Sequence, residues 1–283
     1  MRSRRRVSLV VKLLIMVVAL IFALFPVVYV ISAAVNPANT LVGLGIIPTR
    51  MTLDNFVRLF NSPLHPWPQW ILNSVIVAGA TSVIVTSLTA LAAYAFSRLK
   101  FRGRRAGLLA LVTVQLFPNM LAIVALFLLL QAIGSVVPAL GLNSLGGLIL
   151  IYSGGALGFN TWLMKGYFDT LPFDLDESAM VDGASPFQAF RHVILPLVRP
   201  ILAVIGILAF IGAYSDFLLA RVVLSSTQNL TLAVGMTLFV REYTVEWGTF
   251  AAAALVGALP IVVTFLILQR QLVGGLAQGG VKG

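Results

Sequence analysis

The sequence has no cysteine and few charged residues, and each absence excludes a class of protein. Without cysteine, neither disulfides nor thiolate metal sites can form. Charged residues occupy 10% of the 283 positions, whereas soluble domains carry about 25%. Because 59% of the residues are hydrophobic and the mean hydropathy is +1.01, the chain cannot cover a water-facing globule with charge. The composition is that of an integral membrane protein.

The sequence also lacks the residue sets that catalysis requires. No lysine lies in a Gly-Lys-Ser/Thr phosphate loop, so we expect no ATP hydrolysis by this chain. The two histidines, His65 and His192, fall on opposite sides of the membrane in the topology below, which leaves no pair for a metal or a catalytic triad. We therefore expect no catalytic residue, no metal and no cofactor in this chain.

Long apolar runs predict six transmembrane helices, because one span needs about 20 apolar residues. The first run, Leu13 to Val35, is longer than the roughly 7–15 residues of a signal peptide's apolar region. The 59 uncharged residues between Arg105 and Lys165 need two spans, with a turn marked by Gly134 and Asn143. The predicted spans are residues 13–35, 70–96, 106–131, 145–164, 200–220 and 247–269.

The distribution of basic residues predicts the orientation. With six spans both termini lie on one side, where 15 of the 19 lysines and arginines fall, against four on the other side. Basic residues concentrate in cytoplasmic loops. The predicted fold class is thus an all-α integral membrane protein: residues 1–283 form a single six-helix domain with cytoplasmic termini.

The cytoplasmic segment 169–199, between spans four and five, differs from an ordinary loop. Asp174, Asp176 and Glu177 place negative charge in the first turns of a predicted helix, where it favours the helix dipole. Gly183 suits a left-handed residue that ends this helix. The run from Ser185 to Gln188 predicts a capping box with proline at the first position of a second helix, which Pro196 is expected to end.

An apolar stripe of Phe187, Phe190 and Ile194 follows on that second helix, at spacings of three and four residues. Such a stripe packs either against the protein's own spans or against a partner that receives the helix in a groove. The residues alone leave both possibilities open.

The same segment carries a family pattern. Glu177-Ser178-Ala179, three residues, Gly183, nine residues and then Val193-Ile194-Leu195-Pro196 resembles the EAA loop of ABC importer permeases, with Ser178 and Val193 as small departures. The C-terminal run QRQLVGGLAQGGVKG is similar to the tail of maltose-type (MalG-like) permeases of carbohydrate uptake.

The resemblance implies a permease subunit for a sugar, in a bacterial or archaeal cytoplasmic (inner) membrane. It implies a second homologous permease, two ATPase subunits that hold ATP and Mg, and an extracytoplasmic sugar-binding protein as partners. In that family the loop couples the ATPase to the membrane helices. Glu177, Ser178 and Ala179 would then contact the ATPase, Gly183 would form the turn, and Leu195 and Pro196 would fix the second helix against span five.

The C-terminal tail, residues 271–283, contains five glycines in its last ten positions. Because each glycine costs about 1 kcal/mol relative to alanine in a helix, we expect an extended or disordered tail. The resemblance places Gln278, Gly279 and Gly280 between the ATPase chains.

Polar residues inside predicted spans are candidates for the substrate path, because such groups are costly in a membrane. Gln115 and Asn119 interrupt span three beside Pro118, Asn160 lies in span four, and Asp216 lies near the outer end of span five. Gln115 and Asn119 are equally explained by a packed kink, and Asp216 by a solvated helix end; Asn160 is a weaker candidate of the same kind.

Two alternatives remain at this point: an importer of a non-sugar solute, and a stand-alone secondary carrier. The second would need internal repeats and mid-membrane carboxylates, which the sequence does not display. The sequence does not specify which sugar is carried.

Overall fold

The computed structural model describes residues 2–41, 43–48, 50–63, 65–117, 119–239 and 246–279, with the side chains of residues 2–8, 119, 120 and 270–279 outside the description. Every regular element in this part of the chain is helical, and it contains no β-strand. The all-α class predicted from the sequence is confirmed.

Five helices in the described residues are long and apolar enough to cross a membrane: α1 (Arg2–Ala34), α3 (Trp67–Arg98), α6 (Leu145–Phe168), the helix that includes α9 (Leu195–Ser215), and α12 (Trp247–Gly279). Shorter helices lie between them: α2 (Asp54–Asn61), α4 (Arg104–Val114), α5 (Asn119–Gly134), α7 (Asp174–Val181), α8 (Pro186–Ala189), α10 (Leu218–Val223) and α11 (Leu232–Gly235).

The predicted third span, residues 106–131, corresponds to two helices, α4 and α5. Before the break the hydrogen bonds tighten to three-residue spacing, since the N–H groups of Gln115, Leu116 and Phe117 donate to the carbonyls of residues 112, 113 and 114. Pro118 itself lies outside the described residues. A proline supplies no N–H donor and disfavours helical backbone in the residue before it, which accounts for a helix that ends here.

The chain divides into two compact units, which are described separately. The first comprises residues 1–68 and 235–259. In it the Asn55 amide donates to the carbonyls of Ala34 and Asn36, at 2.9 Å each. Asn39 Oδ1 accepts from the N–H groups of Gly248 and Thr249 and so satisfies the start of α12.

The second unit comprises residues 69–234 and 260–283. At the start of α3, Trp70 Nε1 donates to the carbonyl of Thr227 and Asn73 Nδ2 donates to those of Gln228 and Leu230. At the opposite end of α3 lies an apolar core of buried residues: Val85, Ala90, Ala93, Tyr94, Met164, Phe168, Phe190, Ile194, Val198, Leu202 and Ile205. The segment 169–199 is built onto this core.

Candidate functional site

The segment 169–199 is a helix–turn–helix whose turn is closed by glycine. Helix α7 ends with the N–H of Gly183 donating to the carbonyl of Met180 and the N–H of Ala184 donating to that of Ala179. This pair of bonds is a Schellman motif. Gly183 has φ +89°, in the left-handed region that favours glycine. The left-handed turn predicted at Gly183 is confirmed.

The predicted capping box at the start of the second helix is also confirmed. The Gln188 N–H donates to Ser185 Oγ at 3.3 Å, and the Ser185 N–H donates to Gln188 Oε1 at 2.7 Å. Pro186 occupies the first turn of α8, where no N–H donor is needed.

The prediction that Pro196 ends this helix was wrong. Phe190 to Ile194 form a π-helical turn, in which the Leu195 N–H donates to the carbonyl of Phe190, five residues back. Pro196 follows this wider turn in the first turn of α9, where a proline breaks no helical bond. The helix therefore continues from Pro186 to Ser215, so the second arm of the segment is continuous with a long apolar helix.

The apolar stripe is divided between the two possible roles. Phe190 and Ile194 are buried in the core of the second unit, against Phe168 and Val198. Phe187 is 60% exposed and lies outside that core. Two of the three residues are buried on the protein's own helices, and Phe187, although exposed, lines a cavity beside Phe190 and Ala90.

A buried ion pair holds α7 to the end of α3. Arg98 Nε donates to Asp176 Oδ2 at 2.8 Å, and the two side chains are only 4% and 6% exposed. Tyr94 Oη donates to Asp176 Oδ1 at 3.0 Å, and the Arg98 guanidinium lies 4.2 Å from the ring centre of Phe173. Asp176 lies in the first turn of α7, as predicted, and it is also bonded to residues of another helix, which the sequence analysis did not predict.

The signal for this anchor was present in the sequence and was missed. Ser97 and Arg98 lie three and four residues after Tyr94, so both are on the same side of α3 as Tyr94. Ser97 Oγ donates to Asp169 Oδ1 at 2.7 Å, and Lys165 also pairs with that carboxylate. Burial acts to raise the pKa of Asp169, but the bonds from Lys165 and Ser97 outweigh it, so the pKa is lowered.

A set of exposed residues remains on the helix–turn–helix. It consists of Glu177, Met180, Val181, Gly183 and Phe187, which we name the outer face. Val181 is 87% exposed, and a Cβ at Gly183 would meet nothing within 4 Å in the described residues. Of the other predicted coupling residues, Ser178 and Pro196 are exposed, whereas Ala179 and Leu195 are half-buried.

Two predicted substrate-path residues, Gln115 and Asp216, line one cleft of about 800 Å³ in the second unit. Gln115 Nε2 donates to the Gly155 carbonyl at 2.7 Å. Asp216 Oδ1 accepts from Tyr152 Oη at 2.7 Å and from the N–H groups at the start of α10. Gly158 of α6 allows α4 to approach α6 closely, because a Cβ at position 158 would lie 2.6 Å from the Leu111 carbonyl oxygen of α4.

The other predicted site residues are placed differently. Asn160 Nδ2 donates to the Ala156 carbonyl one turn back in α6, and Asn160 does not line the cleft. Asn119 begins α5, and its side chain lies outside the described residues. The expectation of a non-helical tail was wrong for residues 271–279, because α12 continues to Gly279; each residue added to an existing helix gains one hydrogen bond. The side chain of Gln278 and all of Gly280 lie outside the described residues.

Together these features define a class: a helical, multi-pass membrane protein with an anchored helix–turn–helix beside its spans. Comparison with known proteins is more specific. The profile of the family described as "Binding-protein-dependent transport system inner membrane component" matches residues 86–274. The chain therefore belongs to that family.

Individual relatives agree. The maltose/maltodextrin transport system permease protein MalG of Vibrio vulnificus (strain YJ016) is 43% identical over 271 residues, which cover 92% of this chain and 91% of that protein. MalG of Escherichia coli (strain K12) is 40% identical over the same length. A crystal structure of a bacterial ABC transporter involved in alginate import contains a chain that shares the fold, with a TM-score of 0.79, 24% identity, and coverage of 95% of this chain and 98% of that one.

Proposed function

We propose that the chain is a permease subunit of an ATP-binding-cassette importer for a sugar, and more narrowly for a di- or oligosaccharide. Family membership and the identity to MalG proteins support this proposal. The observation that carries it is the two-sided helix–turn–helix: one side is anchored by a buried ion pair and an apolar core, and the outer face is left exposed. An element of this kind is suited to receive force from a separate chain.

The partners follow from that role. The outer face docks in a groove of a cytoplasmic ATPase, with the exposed Glu177 carboxylate accepting hydrogen bonds from a basic or amide group. Two ATPase copies hold ATP and Mg²⁺, a second homologous permease completes the membrane domain, and an extracytoplasmic binding protein delivers the sugar. This chain binds no cofactor of its own and catalyses no step.

The proposed topology has six spans, with both termini and the helix–turn–helix on the cytoplasmic side of a bacterial or archaeal cytoplasmic membrane. Helices α4 and α5 count as one broken span. The two helices contain 11 and 16 residues. At about 1.5 Å per residue their combined length is about 40 Å, which is enough to cross the hydrocarbon core of a membrane, about 30 Å thick.

The cleft that Gln115 and Asp216 share forms part of the proposed sugar path. A sugar presents many hydroxyl donors, and the second oxygen of Asp216 and the amide oxygen of Gln115 are acceptors that no hydrogen bond among the described residues engages. Gly154, Gly155 and Gly212 line the same cleft and leave open space where side chains would stand. We expect Asp216→Asn and Gln115→Leu to reduce transport more than Asn160→Ala, which alters an amide outside the cleft.

One experiment tests the function as a whole. The chain is purified from its native host, the co-purifying polypeptides are identified, and the assembly is tested with a sugar panel for stimulation of ATP hydrolysis. We expect an ATPase, a second permease, and stimulation by one or a few sugars through the binding protein. Purification without an ATPase would refute the importer assignment, and stimulation only by a non-sugar solute would refute the substrate class.

A further inference from the structure

The last turn of α3 holds both arms of the helix–turn–helix, although α3 is remote from it in sequence. Besides the ion pair with Asp176 in α7, Arg98 Nη2 donates to the carbonyl of Leu171 at 3.0 Å. Tyr94 Oη reaches Asp176 and also lies 3.2 Å from the carbonyl oxygen of Pro186, at the start of α8. Tyr94, Arg98 and Asp176 therefore form a strut between α3 and the two helices that present the outer face.

The strut consists of directional contacts that are shielded from water. The Arg98 guanidinium bonds both a carboxylate and a carbonyl, and so fixes the position and angle of α7 against α3. The Tyr94 hydroxyl bonds the other oxygen of the same carboxylate and restricts its orientation further. Replacing a buried ion pair by apolar residues of similar volume is often neutral for stability. Stability alone therefore gives no reason for three polar side chains here, whereas transmission of a defined movement does.

From α3 the connection continues to the cleft. Arg104 Nη2, at the start of α4, donates to the carbonyl of Ser97 at 3.0 Å. Helix α4 ends beside Gln115 and carries Thr113, and both residues line the cleft. The lining of the cleft also includes Gly212 of α9, which is joined to the outer face by the helix that runs from Pro186 to Ser215.

We propose that Tyr94, Arg98 and Asp176 are positioning residues that transmit movement of the outer face through α3 to the α4 wall of the cleft. The α9 wall moves through its own helix, Pro186–Ser215. The Arg98–Asp176 ion pair joins α3 to α7, whereas Tyr94 also contacts the helix of the α9 wall, at Phe190 and at the Pro186 carbonyl. The inference rests on the proposed function, because it requires an ATPase that moves the outer face.

The chain has no native cysteine, so single cysteines can report on the two walls in the assembled transporter. Thr113→Cys reports on α4 and Gly212→Cys on α9; both positions are exposed within the cleft. The rate of thiol modification is measured without nucleotide and with ATP, in each strut variant. The variants are Arg98→Gln, Asp176→Asn, and the double replacement Arg98→Met with Asp176→Leu, which leaves no unpaired buried charge.

In the otherwise unaltered chain we expect ATP to change the modification rate at both walls by at least about five-fold, the lower end of ordinary coupling between sites. In the strut variants the change at position 113 should fall below about two-fold, while the change at position 212 persists and the ATPase remains bound. The controls Asp174→Asn, in α7, and Arg102→Gln, in the turn after α3, remove exposed charges close to the strut residues in sequence and should leave both changes intact.

The other outcomes separate the hypotheses. If ATP still changes position 113 normally in the double variant, or if positions 113 and 212 lose their responses together, the strut does not transmit movement to α4 and the inference is overturned. If the unaltered chain shows no ATP response at either wall, or retains no ATPase, the proposed function itself fails.

Discussion

Gly183 provides the sharpest test of the outer face, because its conformation and its surroundings are both defined. Its φ of +89° is one that a side chain makes costly, by roughly 1–2 kcal/mol. No atom of the described residues lies within 4 Å of a Cβ built there. In the isolated chain a substitution at Gly183 therefore costs backbone strain only, because the new Cβ collides with nothing.

When an ATPase is docked, a substitution at Gly183 also affects how well the ATPase is retained. Strain of 1–2 kcal/mol lowers the population of the correct turn by a factor of about 5–30. Gly183→Ala should weaken ATPase retention by about this factor, and Gly183→Val by considerably more, since the larger side chain would also collide with the partner. Gly183→Asn should bind nearly as well as glycine, because asparagine tolerates the left-handed region.

Gly103 supplies the matched control. It has φ +86° and open space around its Cβ position, so that Gly103→Val carries the same strain at a site away from the outer face. Its backbone conformation makes this substitution a control for strain. The assay is the amount of ATPase that co-purifies with the membrane-inserted variants. Equal retention by Gly183→Val and Gly103→Val would refute docking at this turn.

Three further predictions concern packing, pH and topology. Gly158→Ala should destabilise the detergent-solubilised protein by about 1–3 kcal/mol, because its Cβ would lie 2.6 Å from the Leu111 carbonyl oxygen; Gly166→Ala, with open space, is the control in the same thermal unfolding assay, and equal stability of the two would contradict the packing. The pKa of Asp169 is lowered, so the ionised carboxylate stabilises the fold above the usual aspartate pKa of about 3.9, and this stabilisation is lost as the pH falls below it. Asp169→Asn should therefore lose less stability on acidification than the unaltered chain. The same dependence of stability on pH in both proteins would contradict this prediction. Single cysteines at Gly103, Ser185 and Gln278 should be labelled only from the cytoplasm and those at Ser62 and Gln228 only from outside, so labelling of position 185 from outside would overturn the orientation.

Local features of the helix–turn–helix could be predicted from the sequence because their hydrogen bonds join residues three to five positions apart. The Schellman turn at Gly183 and the capping box of Ser185 and Gln188 depend on residue types at fixed short spacings. The EAA pattern lies within one continuous segment, from Glu177 to Pro196, and led to the family that the comparisons bear out. The all-helical class followed from apolar runs that no strand-based soluble fold could accommodate.

The anchor and the cleft were decided only by tertiary structure. Arg98 and Asp176 are 78 positions apart, Tyr94 and Pro186 are 92 apart, and Gln115 reaches a carbonyl 40 positions away. No local spacing distinguishes Asp176, which is buried in an ion pair, from Asp174, which is exposed in the same turn of α7. Pro196 shows the same limit, since a π-turn just before it changes a helix-ending residue into one that the helix passes through. The helices and their caps follow from the order of the residues, because they depend on bonds between near neighbours. Which polar groups are buried together depends on how distant helices pack.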